Sequence, residues 1–252
     1  MIYVLLPAYN EEKGLQEVLP VLERLREKLD APLRVVVVND GSRDRTAEVA
    51  RSFQNRLDLH LIDFPKNQGV GEVFRQGFRF VVSDSQAPND DICIVLDSDN
   101  TQDPALIPIM IEKIRGGSDL VIASRFEAGG KMIGCPWPRQ LLSYGVGTLL
   151  KVFVGLRGVK DYSTFYRAHR VRILAEGFAR YGDGLLAGKG FAVMGGMLIR
   201  LSNITDRMTE VPLVLRYDLK GGSSGIKLWK TIRGYIELIA ESVRTRRFSR
   251  TP

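Results

Sequence analysis

The chain has 252 residues, of which 44% are apolar and 26% are charged, so its composition supports a packed core and excludes intrinsic disorder. A formal charge of +7 usually favours nucleic acid or a membrane surface as partner. This charge is unevenly divided, because residues 1–130 carry a net −6 and residues 131–252 a net +13. Two cysteines cannot form a disulfide framework, and neither a signal peptide nor a membrane-spanning helix is predicted. We therefore expect a cytoplasmic protein whose membrane contact, if any, is peripheral.

Short apolar runs alternate with segments of helical periodicity over the first 125 residues. Strands are predicted at residues 2–6, 34–38, 59–62, 91–96 and 120–123, and helices at residues 11–29, 43–54, 71–82 and 104–115. Two later helices are predicted at residues 140–156 and 226–243, the second amphipathic with basic flanks. Apolar strands separated by helices indicate an α/β fold with a mainly parallel sheet covered on both faces. No linker interrupts the chain, so we expect residues 1–252 to form one domain.

Polar motifs follow three of the predicted strands, at the edge where open parallel sheets bind their ligands. Pro7-Ala8-Tyr9-Asn10-Glu11 follows the first strand, Asn39-Asp40-Gly41-Ser42 the second and Asp97-Ser98-Asp99 the fourth. Asn10 and Ser42 would each also serve as a helix cap. The recurrence of such motifs along one edge favours a binding site over three unrelated caps.

Asp97 and Asp99 are the principal candidates for metal binding. Two carboxylates one residue apart supply hard oxygen ligands for Mg²⁺ or Mn²⁺ and leave positions for phosphate oxygens. A metal held in this way would neutralise a diphosphate leaving group. The alternative is a polar turn before the helix at Pro104, with Asp103 as its cap.

The segment Lys66-Asn67-Gln68-Gly69-Val70-Gly71 is typical of a loop that contacts phosphate or sugar at the start of a helix. Phe74 stands where a dinucleotide-binding pattern has its third glycine, and the chain has no phosphate-binding loop of the nucleotide triphosphatase type. His60 and His169 have no partners at metal-ligand spacing, and Gly-x-Ser-x-Gly is absent. Both histidines are therefore interpreted as structural, and dehydrogenase, triphosphatase and hydrolase functions are disfavoured.

The ordered motifs resemble those of inverting family 2 glycosyltransferases with a GT-A fold. PAYNEE, NDGSRDRT, KNQGVG, DSDNTQDP and ASRF follow the five predicted strands. DYSTFYR at residues 161–167, GFAVMGGM at residues 190–197 and EVPLVLRYDLKGGSSGIK at residues 210–227 are similar to the dolichyl-phosphate mannosyltransferase-like branch. The resemblance implies a GT-A-type, Rossmann-like sandwich with C-terminal amphipathic helices. Its residues 1–130 would bind nucleotide sugar and metal, and residues 131–252 the acceptor.

The resemblance also implies roles for individual side chains. The residues expected to bind the nucleotide sugar are Pro7, Tyr9, Asn10, Glu11, Asn39, Asp40, Lys66, Gly69, Gly71 and Ser98. Those expected to bind the acceptor or its phosphate, several of them in an anion-binding lid, are Ser124, Arg167, Arg216, Ser223, Ser224 and Lys227. Asp97, Asp99 and Arg125 are expected to be catalytic, and Asp97, Asp99 and Gln102 to hold the metal.

Three features depart from the family pattern. Asn39-Asp40 replaces the usual pair of acids, and Gly195-Gly196 stands where an acidic residue is common. Lys227 lies further along the chain than the usual lysine, so either Lys220 or Lys227 takes that role. These departures bear on the identity of the sugar and the acceptor.

The implied reaction is transfer of a hexosyl group from a GDP- or UDP-hexose to a polyprenyl phosphate, with inversion, at the cytoplasmic face of a membrane. The acceptor phosphate is already anionic, so the reaction has little need of a strong general base, and positioning and electrostatics would supply most of the catalysis. Two alternatives are a soluble sugar or phosphorylated metabolite as acceptor, and a non-enzymatic basic protein that binds nucleic acid. The leading hypothesis involves no nucleic acid.

Residues 137–156 and 226–250 are the candidate membrane surface. The first segment is rich in apolar side chains, and the second combines an apolar stripe with lysine and arginine that would meet anionic lipid. The alternative is that these segments close the hydrophobic core or form an interface between copies of the chain.

Overall fold

The computed structural model describes residues 1–156, 158–188, 190, 192–220 and 234. Its strands are β1 (Ile2–Ala8), β2 (Leu33–Asn39), β3 (Asp58–Asp63), β4 (Ile92–Val95), β5 (Leu120–Ser124), β6 (Lys131–Ile133), β7 (Arg167–Arg170), β8 (Met208–Pro212) and β9 (Val214–Arg216). Its helices are α1 (Glu12–Arg26), α2 (Thr46–Ser52), α3 (Val70–Asp84), α4 (Ile107–Arg115), α5 (Trp137–Phe153), α6 (Val171–Tyr181) and α7 (Ala192–Leu201). Short 3₁₀ turns lie at Pro104–Leu106, Gly182–Leu186 and Tyr217–Leu219.

Seven of these strands form one sheet in the order β3-β2-β1-β4-β7-β5-β8. All neighbouring pairs are parallel except those made by β7, which is antiparallel to both β4 and β5. Strands β6 and β9 pair separately as a parallel two-stranded ribbon. The predicted mainly parallel sheet is confirmed, and the carboxyl ends of β1, β2 and β4 meet at one edge.

Alternation of side chains along the strands builds a hydrophobic core on each face of the sheet. In β1, Ile2, Val4 and Leu6 pack on one face, with the apolar stripe of α1 and the buried residues of α4. Tyr3 and Leu5 pack on the other face, with α3, α6 and α7. Helices on both faces confirm the predicted sandwich.

The structure differs from the predicted elements in several places. α2 begins at Thr46 rather than at residue 43, because the Asp44 side chain accepts a hydrogen bond from the Thr46 amide and holds a turn there. The helix predicted from Pro104 begins as a 3₁₀ turn, in which Asp103 accepts from the Ala105 amide at 2.9 Å. The helix predicted at residues 226–243 lies outside the described residues.

Strand β7 was not predicted, and it joins the two parts of the sequence in one sheet. It comes from the basic part of the chain and lies between β4 and β5 of the acidic part. The boundaries of the predicted single domain stay a prediction. Over the residues that the structure covers, no helix is both long enough and apolar enough to cross a membrane.

Candidate active site

Three sequence motifs meet at the carboxyl edge of the sheet, as predicted. The Ser98 hydroxyl donates to the Pro7 carbonyl at 2.9 Å, and the Asn10 amide donates to the Ser42 hydroxyl at 2.8 Å. Helix α1 approaches this edge so closely that a Cβ at Gly14 would lie 2.0 Å from the Ser98 carbonyl oxygen. Gly14 is thus a residue of the site that motif analysis missed, since any side chain there would force the helix away.

Asp97 is held by Gln102 through two hydrogen bonds. The Asp97 amide donates to Oε1 of Gln102 at 3.0 Å, and Nε2 of Gln102 donates to Oδ2 of Asp97 at 2.5 Å. Both polar ends of the buried Gln102 amide therefore face Asp97. The structure thus shows Gln102 as a support for the Asp97 carboxylate, and its expected role as a metal ligand stays a prediction.

Asp99 lies in a tight turn and has both carboxylate oxygens engaged. Its Oδ1 accepts from the amide and the hydroxyl of Thr101, at 3.1 and 2.6 Å, and its Oδ2 accepts from the ammonium of Lys220. Asn100 between them adopts a left-handed conformation with φ of 61°, which asparagine tolerates better than most residues. The turn fixes the direction of the Asp99 carboxylate relative to that of Asp97.

Glu11 joins the two aspartates in an acidic cluster. Burial raises the pKa of Glu11 to about 7, with a further contribution from the charge of Asp99. Burial likewise raises the pKa of Asp97 to about 8, and the Asp99 charge adds to it. Lys220 lowers both values in part. The negative charges of these carboxylates therefore oppose one another, and a divalent cation would relieve that repulsion.

The donor set fits Mg²⁺ or Mn²⁺, whose preferred ligands are carboxylate and phosphate oxygens. In the part of the chain that is described, no three carboxylates, thiols or imidazoles converge closely enough to hold a metal alone. Asp97 and Asp99 would therefore share the ion with phosphate oxygens and water. Lys220 already places a positive charge at this position.

The loop at residues 66–71 is anchored by Asp40. Its carboxylate accepts from the Gln68 amide at 2.6 Å and from the Gly69 amide at 3.0 Å. Gly41, with φ of +63°, lies so close that a Cβ would be 2.4 Å from the carbonyl carbon of Lys66. The motif at residues 39–42 and the loop at residues 66–71 are therefore held together, and Asp40 shapes this loop from a buried position.

Asn39 is also buried, and its hydrogen bonds explain why this position holds an asparagine where the family pattern has an acidic residue. Its Nδ2 donates to Oδ1 of Asp63 at 2.7 Å, and its Oδ1 accepts from the Ser42 amide at 3.3 Å. A carboxylate at position 39 would face the Asp63 carboxylate without a proton between them. Direct nucleotide contact was expected of Asn39 and Asp40; in the structure both side chains are instead buried and hydrogen-bonded within the protein.

The remaining residues predicted to bind the donor border the same edge. Tyr9 is 44% exposed, and Asn10 and Lys66 are also exposed, so all three side chains are accessible to a ligand. Asn10 also accepts from the Arg43 amide at 2.8 Å. The half-buried Gly69 and Gly71 border the start of α3, where Gly69 is the N-cap and makes no side-chain cap hydrogen bond.

Arg125 is paired with the wholly buried Asp161. Its Nε and Nη2 each donate to an Asp161 oxygen at 2.7 Å, and Nη2 also donates to the Ser163 hydroxyl at 2.6 Å. Burial alone would raise the pKa of Asp161, but the Arg125 charge and hydrogen bonds bring it below its usual value. The pair joins the loop after β5 to the DYSTFYR motif. Arg125 is near enough to Asp97 to lower the pKa of that carboxyl.

The predicted lid position of Arg167 is wrong. The side chain is 0% exposed, and its guanidinium donates to the carbonyls of Met194 at 2.7 Å and Tyr162 at 2.9 Å. The cause is its place on the central strand β7, which directs it into the molecule beside α7. Ser124 is likewise buried, and its hydroxyl accepts from the Phe126 amide at 3.2 Å. Neither residue lies on a surface that an acceptor could reach.

Among the described residues, the structure places the Lys220 ammonium against Asp99. The backbone of Arg216 leads to it, and the Arg216 amide donates to the Thr101 carbonyl at 2.8 Å. The Arg216 guanidinium pairs with Asp218 at 2.7 Å and remains partly exposed. The predicted residues Ser223, Ser224 and Lys227 lie outside the described residues.

Helix α5 carries a row of exposed apolar side chains. Trp137 is 74% exposed, Val152 71% and Leu141 65%, and Tyr144, Leu149 and Phe153 are about half exposed. Leu150 and the neighbouring Val154 are instead buried in the core. The predicted membrane surface on α5 is therefore apolar and accessible over part of its circumference.

Comparison with known proteins supports the interpretation of these motifs. The sequence model for glycosyl transferase family 2 matches residues 3–178. A dolichol-phosphate mannosyltransferase from Pyrococcus furiosus is 29% identical over 223 residues, which cover 88% of this chain and 58% of that protein. An undecaprenyl-phosphate mannosyltransferase from Micrococcus luteus is 29% identical over 214 residues, covering 84% of this chain and 82% of that protein.

Solved structures support the fold. The chain superimposes on glucosyl-3-phosphoglycerate synthase from Mycobacterium tuberculosis, in complex with Mn²⁺, UDP and glucosyl-3-phosphoglycerate, with a TM-score of 0.69 at 20% identity. That match covers 96% of this chain and 80% of the other. The predicted GT-A-type fold is confirmed, and the relatives are those expected of the dolichyl-phosphate mannosyltransferase-like branch. Because the family match extends over most of its length, this chain belongs to glycosyl transferase family 2.

Proposed function

We propose that the protein transfers a hexosyl group from a GDP- or UDP-hexose to a polyprenyl phosphate, with inversion at the anomeric carbon. The observation that carries the proposal is the convergence of Asp97, Asp99 and Glu11 at one sheet edge, with Lys220 against them. The names of the two mannosyltransferases favour a polyprenyl phosphate as acceptor. The protein spans only 58% of the Pyrococcus relative, so the proposal concerns the catalytic domain.

Donor binding is assigned to the edge formed by β1, β2 and α3. We expect the exposed ring of Tyr9 to stack on a base, and Lys66 and the first amides of α3 to contact phosphate. Asp97 and Asp99 would hold Mg²⁺ or Mn²⁺, which when bound neutralises charge on the leaving diphosphate. Gln102 and Thr101 keep the two carboxylates oriented, so that little reorganisation is needed during the reaction.

Acceptor binding is assigned to the side of the site formed by the chain after β9. Arg216 offers a fork of donors suited to a phosphate monoester, and the nearby Lys220 ammonium adds positive charge to this side of the site. The phosphate oxygen attacks the anomeric carbon as the bond to the diphosphate breaks. Since that oxygen is already anionic, the site needs to orient it rather than to deprotonate it.

Contact with the membrane is assigned to the exposed apolar side chains of α5. A polyprenyl chain resides in lipid, so its phosphate must be reached from the membrane surface. Trp137, Leu141 and Val152 would enter the headgroup layer while the site stays in water. The proposed location is the cytoplasmic face of the membrane.

The test is a donor screen with the purified chain and a polyprenyl phosphate in detergent, with Mn²⁺ or Mg²⁺. Labelled GDP-mannose, GDP-glucose, UDP-glucose and UDP-galactose are compared in separate reactions. The Asp99→Asn variant should lose at least ~100-fold in rate. Asp103→Asn is the matched control, because Asp103 lies in the same loop but caps the 3₁₀ turn. Thermal unfolding verifies that both variants are folded; equal activity of Asp99→Asn and wild type would contradict the proposal.

A further inference from the structure

We propose that the Lys220 ammonium is an internal counterion that occupies the metal-facing oxygen of Asp99 and is displaced from it when the metal and donor diphosphate bind. The inference rests on the proposed function, because it concerns the same carboxylates. It adds a second role for Lys220, which competes with the metal before the donor arrives and contacts phosphate afterwards.

The two carboxylate oxygens of Asp99 have different partners. Oδ1 is committed to the Thr101 turn, with hydrogen bonds of 3.1 and 2.6 Å, and this turn sets the direction of the carboxylate. Oδ2 is the oxygen left for a cation, and Lys220 donates to it. A metal ion at Oδ2 therefore competes with this contact.

Backbone contacts restrict the segment that leads to Lys220 and hold it near Asp99. The ribbon of β6 and β9 is tied to the Asp99 loop by the hydrogen bond from the Arg216 amide to the Thr101 carbonyl. Gly134, at the end of β6, has φ of +70°, and a Cβ there would lie 2.8 Å from the Asp218 amide nitrogen. The segment before Lys220 thus has little freedom to move away. Both members of the ion pair are mostly buried, with side chains 19% and 13% exposed.

A further argument is electrostatic. Three carboxylates, those of Glu11, Asp97 and Asp99, lie near one ammonium, so removal of the ammonium leaves the cluster more attractive to any other cation. A divalent ion and an ammonium at the same oxygen would repel each other. Lysine has three donors and no acceptor, so the displaced ammonium suits the oxygens of the incoming diphosphate.

These arguments predict opposite effects on two binding events. Without nucleotide, Lys220 opposes Mn²⁺, so its removal should tighten Mn²⁺ binding. With a nucleoside diphosphate present, Lys220 contributes to phosphate binding, so its removal should weaken binding of the metal–nucleotide complex. The two ligands are therefore expected to bind with positive coupling in the wild type and with less coupling in the variant.

The experiment measures Mn²⁺ binding to the full chain by electron paramagnetic resonance of free Mn²⁺, without nucleotide, for wild type, Lys220→Met and Lys131→Met. Lys131 is an exposed lysine on β6 of the same ribbon, so its variant controls for the loss of one charge. Lys220→Met should bind Mn²⁺ about tenfold more tightly than wild type, and Lys131→Met should match wild type. In a Lys220→Met, Asp99→Asn double variant the gain should vanish. Addition of GDP or UDP should then reverse the order of wild type and Lys220→Met.

Equal Mn²⁺ affinity of wild type and Lys220→Met overturns this inference and leaves the proposed transfer standing. A gain that persists in the double variant overturns it as well, because the effect would not involve Asp99. If none of the variants binds Mn²⁺ with or without nucleotide, both the inference and the metal-dependent part of the proposed function fail. Lys220→Gln repeats the measurement with a polar side chain should Lys220→Met prove unstable.

Discussion

Gln102 holds Asp97 by a reciprocal pair of hydrogen bonds, in which each residue donates to the other. Because the side chain of Gln102 is buried and its two polar atoms both face Asp97, it favours one rotamer of the Asp97 carboxylate. The family resemblance implies a metal-ligand role for Gln102, and the geometry adds a supporting role toward Asp97.

The first prediction concerns this contact. Gln102→Leu keeps the approximate volume but removes both hydrogen bonds, so Asp97 should rotate and transfer activity should fall by about 10- to 100-fold. Gln102→Glu should be less active at high pH than at low pH, since a charged glutamate repels Asp97 and a protonated one restores a donor. Steady-state rates at several pH values provide the measurement. A variant with wild-type kcat would show that Asp97 needs no support.

A second prediction concerns the buried pair of Arg125 and Asp161. Removal of one partner leaves an uncompensated buried charge, so Arg125→Met or Asp161→Leu should each destabilise the protein by about 3–5 kcal/mol. The double variant should lose less stability than the sum of the two single losses, because neither charge remains. Denaturant unfolding of wild type and the three variants gives the free energies for this double-mutant cycle. Strict additivity would mean that the pair contributes no coupling, against the two 2.7 Å contacts.

The third prediction concerns His169 and pH. Burial lowers the pKa of His169 to about 3 from its usual 6.5, and the charge of Arg167 adds to this effect. Between these values the unfolded chain binds a proton that the folded chain does not, so this histidine reduces the free energy of unfolding as pH falls from about 6.5 towards 3. The reduction amounts to about 1.4 kcal/mol per pH unit at most.

Replacement of His169 by leucine should therefore flatten the decline of stability below pH 6.5. Its matched control is His60→Leu, since His60 lies on the exposed side of the edge strand and stacks on Phe80. Urea unfolding between pH 4 and pH 8 compares the slopes. If His169→Leu and wild type lose stability in parallel over that range, His169 does not contribute to the decline.

The fourth prediction concerns the apolar surface of α5. Replacement of Leu141, Leu149 and Val152 by serine should reduce sedimentation with vesicles that contain anionic lipid. The reason is that less apolar surface of α5 would then be buried in the lipid. Serine at Ile109, an apolar residue 45% exposed on α4, is the control for loss of surface hydrophobicity. If the α5 variant sediments as wild type does while its oligomeric state changes, α5 is an interface between copies instead.

The strands and the acidic motif of the site were predictable from sequence because their signals are local. Runs of valine, isoleucine and leucine predict β1, β2 and β5, and the polar residues that follow them predict a ligand edge. Strand β7 carries Arg167, His169 and Arg170, which give no local strand signal. Its pairing with β4 and β5 depends on contacts distant in sequence, and the role of Arg167 was misjudged for the same reason.

Contacts between distant residues also explain why parts of the site were missed. Lys220 and Asp99 are 121 residues apart, and only the fold shows that the Lys220 ammonium reaches Asp99. Gly14 was overlooked because its importance lies in the approach of α1 to Ser98. The contact between Gln102 and Asp97 is local by comparison, because Gln102 follows Asp97 by only five residues in the same loop.

The proposed reaction delivers the hexosyl group to a polyprenyl phosphate. The most direct measurement offers both acceptor types in one reaction, with the donor that the screen identifies, Mn²⁺, a polyprenyl phosphate and an equal concentration of 3-phosphoglycerate. Label should enter the organic phase as a mild-acid-labile hexosyl phosphate lipid of inverted anomeric configuration. Label that stays in the aqueous phase as a glycosylated phosphoglycerate, with none in lipid, would contradict the account.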